Sequence, residues 1–175
     1  MDQRDIDQKK ISEIEDFLKQ GEYFLALKNL KYLESQYNHF IIHWYLGHTY
    51  FKLHNYFEAI NHIKKSIEIK SKDSLNLNFL GEIYLETNNY NQAIALFEEV
   101  LELDKNNKFA LLNLAKIKIY QGKVKEGEII YKDLIKKDPL NFFYYYQLMR
   151  INEKNISSEI ISKITNNYSK LSPKK

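Results

Sequence analysis

Residues 45–63 read YLGHTYFKLHNYFEAINHI and residues 79–97 read FLGEIYLETNNYNQAIALF, so Leu-Gly, Tyr, Tyr and Ala return in one order after 34 residues. A fixed period of that length means a supersecondary unit that cannot bury its apolar face alone and therefore stacks on its neighbours. Extending the register divides the chain into five units, 7–39, 40–73, 74–107, 108–141 and 142–175, behind a short tail at 1–6. The first unit is one residue short. With only 2 Pro and 5 Gly the chain is too poor in turn residues for an all-β repeat, and helices are expected.

The spacing inside each unit says what the recurring residues do. Ala26, Ala59 and Ala93 are followed four residues later by Leu30, Ile63 and Phe97, one helical turn along the same face. Tyr23, Tyr56 and Tyr90 precede each Ala by three and join that face. Leu46-Gly47 with Tyr50, and Leu80-Gly81 with Tyr84, return in the same register, and a Gly at that point is small enough to admit a close neighbour. Gly21, Asn55, Asn88-Asn89 and Gly122 fall between the helices, where left-handed or turn geometry is needed. Pro139, and Pro173 one unit later, stand where a second helix must stop.

These residues resemble the tetratricopeptide repeat, a helix–turn–helix unit of 34 residues, over nearly the whole chain. The resemblance implies an all-α solenoid, a right-handed superhelix of about ten helices in five units, with the first helices lining a concave groove. The end units depart from the pattern. Glu13-Ile14 replaces Leu-Gly in the first unit. In the fourth, Ala115 replaces Gly, Lys118 replaces Tyr and Gly127 replaces Ala, and Lys118 is expected to lay its stem on the core and keep its ammonium in water. The fifth keeps Leu148 but has Met149 and Asn152 at the Gly and Tyr sites. Its last helix is expected to cap the array, with Ile160, Ile161, Ile164, Tyr168 and Leu171 opposite Lys163, Asn166, Asn167 and Lys170.

Chemistry has little to work with here. There is no Cys, which excludes disulfides, thiolate zinc sites and Cys nucleophiles. No Gly-rich phosphate loop, Gly-x-Ser-x-Gly elbow or His-Glu-x-x-His is present, and the Glu98, Glu99, Glu102 and Asp104 cluster reads as a solvated helix face. The five histidines, His39, His43, His48, His54 and His62, all lie within 24 residues, but their register positions differ. They are expected to point in different directions, so no metal site and no cofactor is assigned. The chain reads as non-catalytic.

The opening MDQRDIDQKK lacks the apolar core of a secretory signal, and no run of about 18 apolar residues spans a membrane. A cytoplasmic location is expected, and the two glycosylation-type triplets at Asn155 and Asn167 are read as chance. Residues 74–107 hold six acidic side chains against one lysine. Residues 108–175 hold fourteen basic side chains against six acidic, so an acidic partner surface fits that end. In the FFYYY run at 142–146, Tyr145 takes a core site while Phe143 and Tyr146 are expected to turn toward the groove. Stacking platforms for nucleic acid normally carry a basic track, which makes nucleic acid a minor alternative.

The remaining site is the groove implied by the resemblance. By register its residues are Trp44, His48, Phe51 and Lys52, then Asn78, Glu82 and Glu86, then Leu112 and Lys116, then Phe143, Tyr146 and Arg150. Trp44 is the sole Trp and could equally pack between repeats or anchor a ligand. The carboxylate clamp with which one subclass grips chaperone tails is absent, since Trp44, His48 and Phe79 occupy its positions. The expected function is a protein-interaction module that binds a peptide or partner surface in the groove with roughly micromolar affinity. Two alternatives stand beside it. One is the binding arm of a larger enzyme, since the closing stretch is similar to repeats preceding bacterial sulfotransferase domains. The other is a structural array that stacks head to tail.

Overall fold

Each repeat after the first opens on a polar side chain that accepts from a backbone N–H of the helix it precedes. His39 Nδ1 accepts from Ile41 at 3.2 Å, Asp73 from Asn76 at 2.8 Å, Asn107 from Ala110 at 3.0 Å and Asn141 from Phe143 at 3.2 Å. These caps satisfy orphan donors at the helix start, and they sit at the last residue of each sequence-defined unit. In the computed structural model, which describes residues 8–70, 73–151 and Ser162, the helices therefore begin on the repeat boundaries.

The described residues form nine helices and no strand: α1 (Gln8–Gln20), α2 (Tyr23–Gln36), α3 (Phe40–Lys52), α4 (Tyr56–Ile69), α5 (Ser74–Glu86), α6 (Tyr90–Leu103), α7 (Lys108–Tyr120), α8 (Val124–Lys137) and α9 (Phe142–Ile151). Odd helices are the first of each repeat and even helices the second. They group into two compact units, Met1–Leu103 with α1–α6 and Asp104–Lys175 with α7–α9. The expected capping helix, with Ile160, Ile161, Ile164, Tyr168 and Leu171, and the stop at Pro173 lie outside the described residues. No described helix is long and apolar enough to cross a membrane.

The connections show where the sequence reading was one residue off. Among the described residues, positive φ occurs at Gly21 (78°), His54 (57°), Asn88 (58°) and Gly122 (78°), one in each of the first four repeats and in the same register. The expected turn residue of the second repeat, Asn55, has φ −89° and instead caps α4, accepting from Glu58 N at 3.3 Å. His54 takes the left-handed position. Its Nδ1 pairs with the Tyr56 hydroxyl at 3.0 Å, and Asn88 Oδ1 accepts from the Tyr90 hydroxyl at 2.8 Å in the equivalent place.

The unit Met1–Leu103 buries Ala26, Leu30, Ala59, Ile63, Ala93 and Phe97 completely, as the spacing requires. Gly47 faces Ile63 and Gly81 faces Phe97, the contacts that bring the helices of each repeat together. The unit Asp104–Lys175 inverts this. Gly127 on α8 receives Ile119 from α7, while Ala115 stands on α7 where the second and third repeats have Gly. Tyr131 then fills the place of Ile63 and Phe97, fully buried. Lys118 behaves as expected, its ammonium paired with Glu126 at 2.9 Å. Ahead of Pro139, α8 ends at Lys137 and Asp138 leaves the helical region with φ −141° and ψ 76°, as the crowding by a following proline requires.

Candidate functional site

In the unit Met1–Leu103, the first-helix residues assigned to the groove meet as an aromatic stack. Trp44 and His48, one turn apart on α3, have ring centroids 4.1 Å apart. His48 then lies flat on Phe79 of α5, at 3.7 Å and 5°. Phe51 closes the group edge-on to Phe79 at 5.3 Å and to Tyr56 at 5.8 Å. Burial, reinforced by the nearby Lys52 ammonium, pushes the His48 imidazole down to about 4, so the stack is uncharged near neutral pH.

Of the two sequence readings of Trp44, packing is the one this geometry displays. Its indole is half-buried and packs against both apolar clusters of the unit, one around Ile14, Leu30 and Leu46 and the other around Ile63, Phe79 and Leu80. Its Nε1 is buried and meets no hydrogen-bond acceptor among the described residues. Lys52 and Glu86 are exposed, while Phe51, Asn78 and Glu82 are half-buried. Phe79 was not among the assigned residues. Its position in the repeat, one before Leu80-Gly81, marks it as a packing residue, and the stack on His48 appears only when α3 and α5 lie side by side.

In the unit Asp104–Lys175, Leu112 and Lys116 are half-buried on α7, and Lys116 donates to Asn113 Oδ1 at 3.3 Å. On α9, Tyr144, Tyr145 and Leu148 are buried. Phe143 and Tyr146 are 41% and 56% exposed, and the Arg150 guanidinium stands 5.9 Å from the Tyr146 ring centre. Helical spacing thus buries Tyr145 and leaves Phe143 and Tyr146 exposed to solvent.

The histidine reading needs correction. His43 and His62 do not diverge: their Nδ1 atoms are 3.1 Å apart and their rings stack at 5.4 Å. Glu34 Oε1 lies 3.7 Å from both nitrogens. The cause is the antiparallel pairing of α3 and α4, which sets their facing sides together across the turn. Burial lowers both imidazoles, His62 to about 4, against the opposing pull of Glu34. His39, His48 and His54 are used elsewhere, as cap, stack and turn.

Among known sequences, the profile of the tetratricopeptide repeat matches residues 39–106 and, in a second form, residues 84–150. The chain belongs to the tetratricopeptide-repeat family. No curated protein matches its sequence. Solved tetratricopeptide-type structures share its fold. One is MamA (41-end) from Desulfovibrio magneticus RS-1, at 16% identity and TM-score 0.77, covering 95% of this chain and 97% of that one. Another is PilF of Pseudomonas aeruginosa, at 14% identity and TM-score 0.76, covering 96% and 77%. A third is YrrB, described as a TPR protein with an unusual peptide-binding site, at 16% identity and TM-score 0.67, covering 93% and 86%. Repeats of this family typically serve protein interaction.

Proposed function

We propose that the chain binds a peptide or the surface of a partner protein along the exposed faces of its first helices, without catalysing a reaction on it. The observation that carries this reading is the pairing of Tyr146 with Arg150 on α9. An aromatic ring 56% exposed, an arginine beside it and Phe143 one turn away form the combination most often found at binding hot spots. The excess of basic residues after 107 favours an acidic ligand at this end. In the other unit, the exposed Lys52 sets a positive charge near His48 of the aromatic stack. The peptide-binding site named in the description of YrrB lends support by likeness of fold.

The test is a displayed library of acidic and neutral peptides, with the affinity of a selected peptide measured by calorimetric titration. Tyr146→Ala and Arg150→Glu, both on exposed positions, should weaken a selected acidic peptide at least tenfold with unchanged helicity. Affinity that is indifferent to both substitutions would remove α9 from the binding surface. Trp44→Ala is a poor control, because the indole packs in both clusters and its loss would cost about 3–5 kcal/mol of stability.

A further inference from the structure

We propose that Glu34, His43 and His62 form a binding site for one divalent transition-metal ion, with zinc the expected occupant, which clasps α2, α3 and α4 together. The three ligand atoms make a nearly isosceles triangle, 3.1 Å between the Nδ1 atoms and 3.7 Å from each to Glu34 Oε1. Bonds of about 2.0–2.1 Å to a single zinc ion place its ligand atoms roughly 3–4 Å apart, so all three reach one centre. Two imidazoles and a carboxylate are a ligand set that zinc takes readily, with a fourth position left open.

The surroundings prepare each group for this role. Asn38 Oδ1 accepts from His43 Nε2 at 3.3 Å, which keeps the proton on Nε2 and the lone pair on Nδ1. The Glu58 carboxylate stands 3.9 Å from His62 Nε2 and biases that ring in the same sense. Lys31 holds the other oxygen of Glu34 at 2.9 Å, leaving Oε1 aimed at the two nitrogens. Outer partners of this kind fix the tautomer and direction of metal-binding side chains. A proton shared between the imidazoles satisfies the cluster only in part, since Oε1 stays 3.7 Å from both, beyond hydrogen-bond reach.

Glu34 and His43 also line a cleft of about 400 Å³ with Asn38, Lys65, Glu68 and Ile69, through which an ion and its water can enter. The pair is special to the second repeat. At the same register the third has Leu77 and Leu96 and the fourth Leu111 and Ile130, the apolar contacts expected if packing were the only demand.

The experiment titrates the tag-free full chain with ZnCl2 near neutral pH, by calorimetry and by thermal melting. The expected result is one ion per chain and, at about a hundred times Kd, a rise in Tm of roughly 5–10 °C. His62→Asn should abolish binding. Glu34→Gln, at a half-exposed position that the fold does not depend on, should weaken it at least tenfold and so decides the matter if His62→Asn fails to fold. The visible spectrum of the Co2+ form should show a four-coordinate nitrogen–oxygen site in the parent chain and lose it in Glu34→Gln. No saturable binding overturns the proposal. So does binding unchanged in Glu34→Gln, because the ion would then be held by other histidines.

Discussion

Gly47 lies under Ile63 so closely that a Cβ added to it would come 2.6 Å from Cγ1 of Ile63. That contact holds α3 against α4, and the same relation joins Gly81 to Phe97. Gly47→Ala and Gly81→Ala should each cost about 1–3 kcal/mol, the usual range for overpacking a filled core. Urea melts of the two variants provide the check, and costs below about 0.5 kcal/mol would mean the helices are free to separate.

The inverted contact of the fourth repeat offers a sharper test. A Cβ on Gly127 would meet Ile119 Cγ1 at 2.7 Å and the Ala115 carbonyl at 3.0 Å. Gly127→Ala alone should therefore destabilise by about 1–3 kcal/mol. In the background of Ile119→Ala, which removes the side-chain atoms that this Cβ would meet, the cost should fall by about 1 kcal/mol. A double-mutant cycle measures that coupling, and strict additivity would show that the two positions do not share a contact.

His54 holds a left-handed conformation that glycine adopts more easily, and Gly21 and Gly122 fill the same place in other repeats. His54→Gly should raise stability by about 0.5–1 kcal/mol, offset slightly by the lost bond to the exposed Tyr56 hydroxyl. Gly122→Ala, with φ of 78° and open space around it, should lower stability by about 1 kcal/mol through backbone strain alone. Differential melting of the pair reads both signs, and a fall in Tm for His54→Gly would contradict the assignment.

Helix starts differ in a way that can be repaired. Asn55 caps α4, but Lys123 begins α8 with similar backbone angles and no side-chain cap. Lys123→Asn should gain about 0.5–1 kcal/mol, and Asn107→Ala should lose about 1 kcal/mol at the start of α7. Chemical denaturation of the two variants measures the gain and the loss together.

Acidification should act through His48, beside the contributions of the buried His43 and His62. Its imidazole has a folded pKa of about 4, below the unfolded value near 6.5, so the unfolded chain binds more protons in that interval. Stability is complete above about pH 6.5, falls as pH drops towards 4, and changes no further below it, a loss of up to about 3 kcal/mol. Against His48→Phe, which keeps a ring on Phe79, the parent chain should lose more stability between pH 7 and pH 4. Parallel pH profiles for the two proteins would place the histidine in water instead.

Much of this architecture was legible in the residue order. The 34-residue period placed helix starts at Phe40, Ser74, Lys108 and Phe142, because capping side chains, turn residues and the Gly and Ala of the helix crossing all act within one or two turns of themselves. The exposure of Tyr146 and the burial of Tyr145 followed from helical periodicity for the same reason. The meeting of His43 with His62 and Glu34, and the stack of His48 on Phe79, were decided only by the tertiary structure. Those contacts join different helices, and a side chain's direction across a helix pair is set by how the two axes pack. A linear register assigns each histidine a place in its own helix, and only packing brings the rings of two helices face to face.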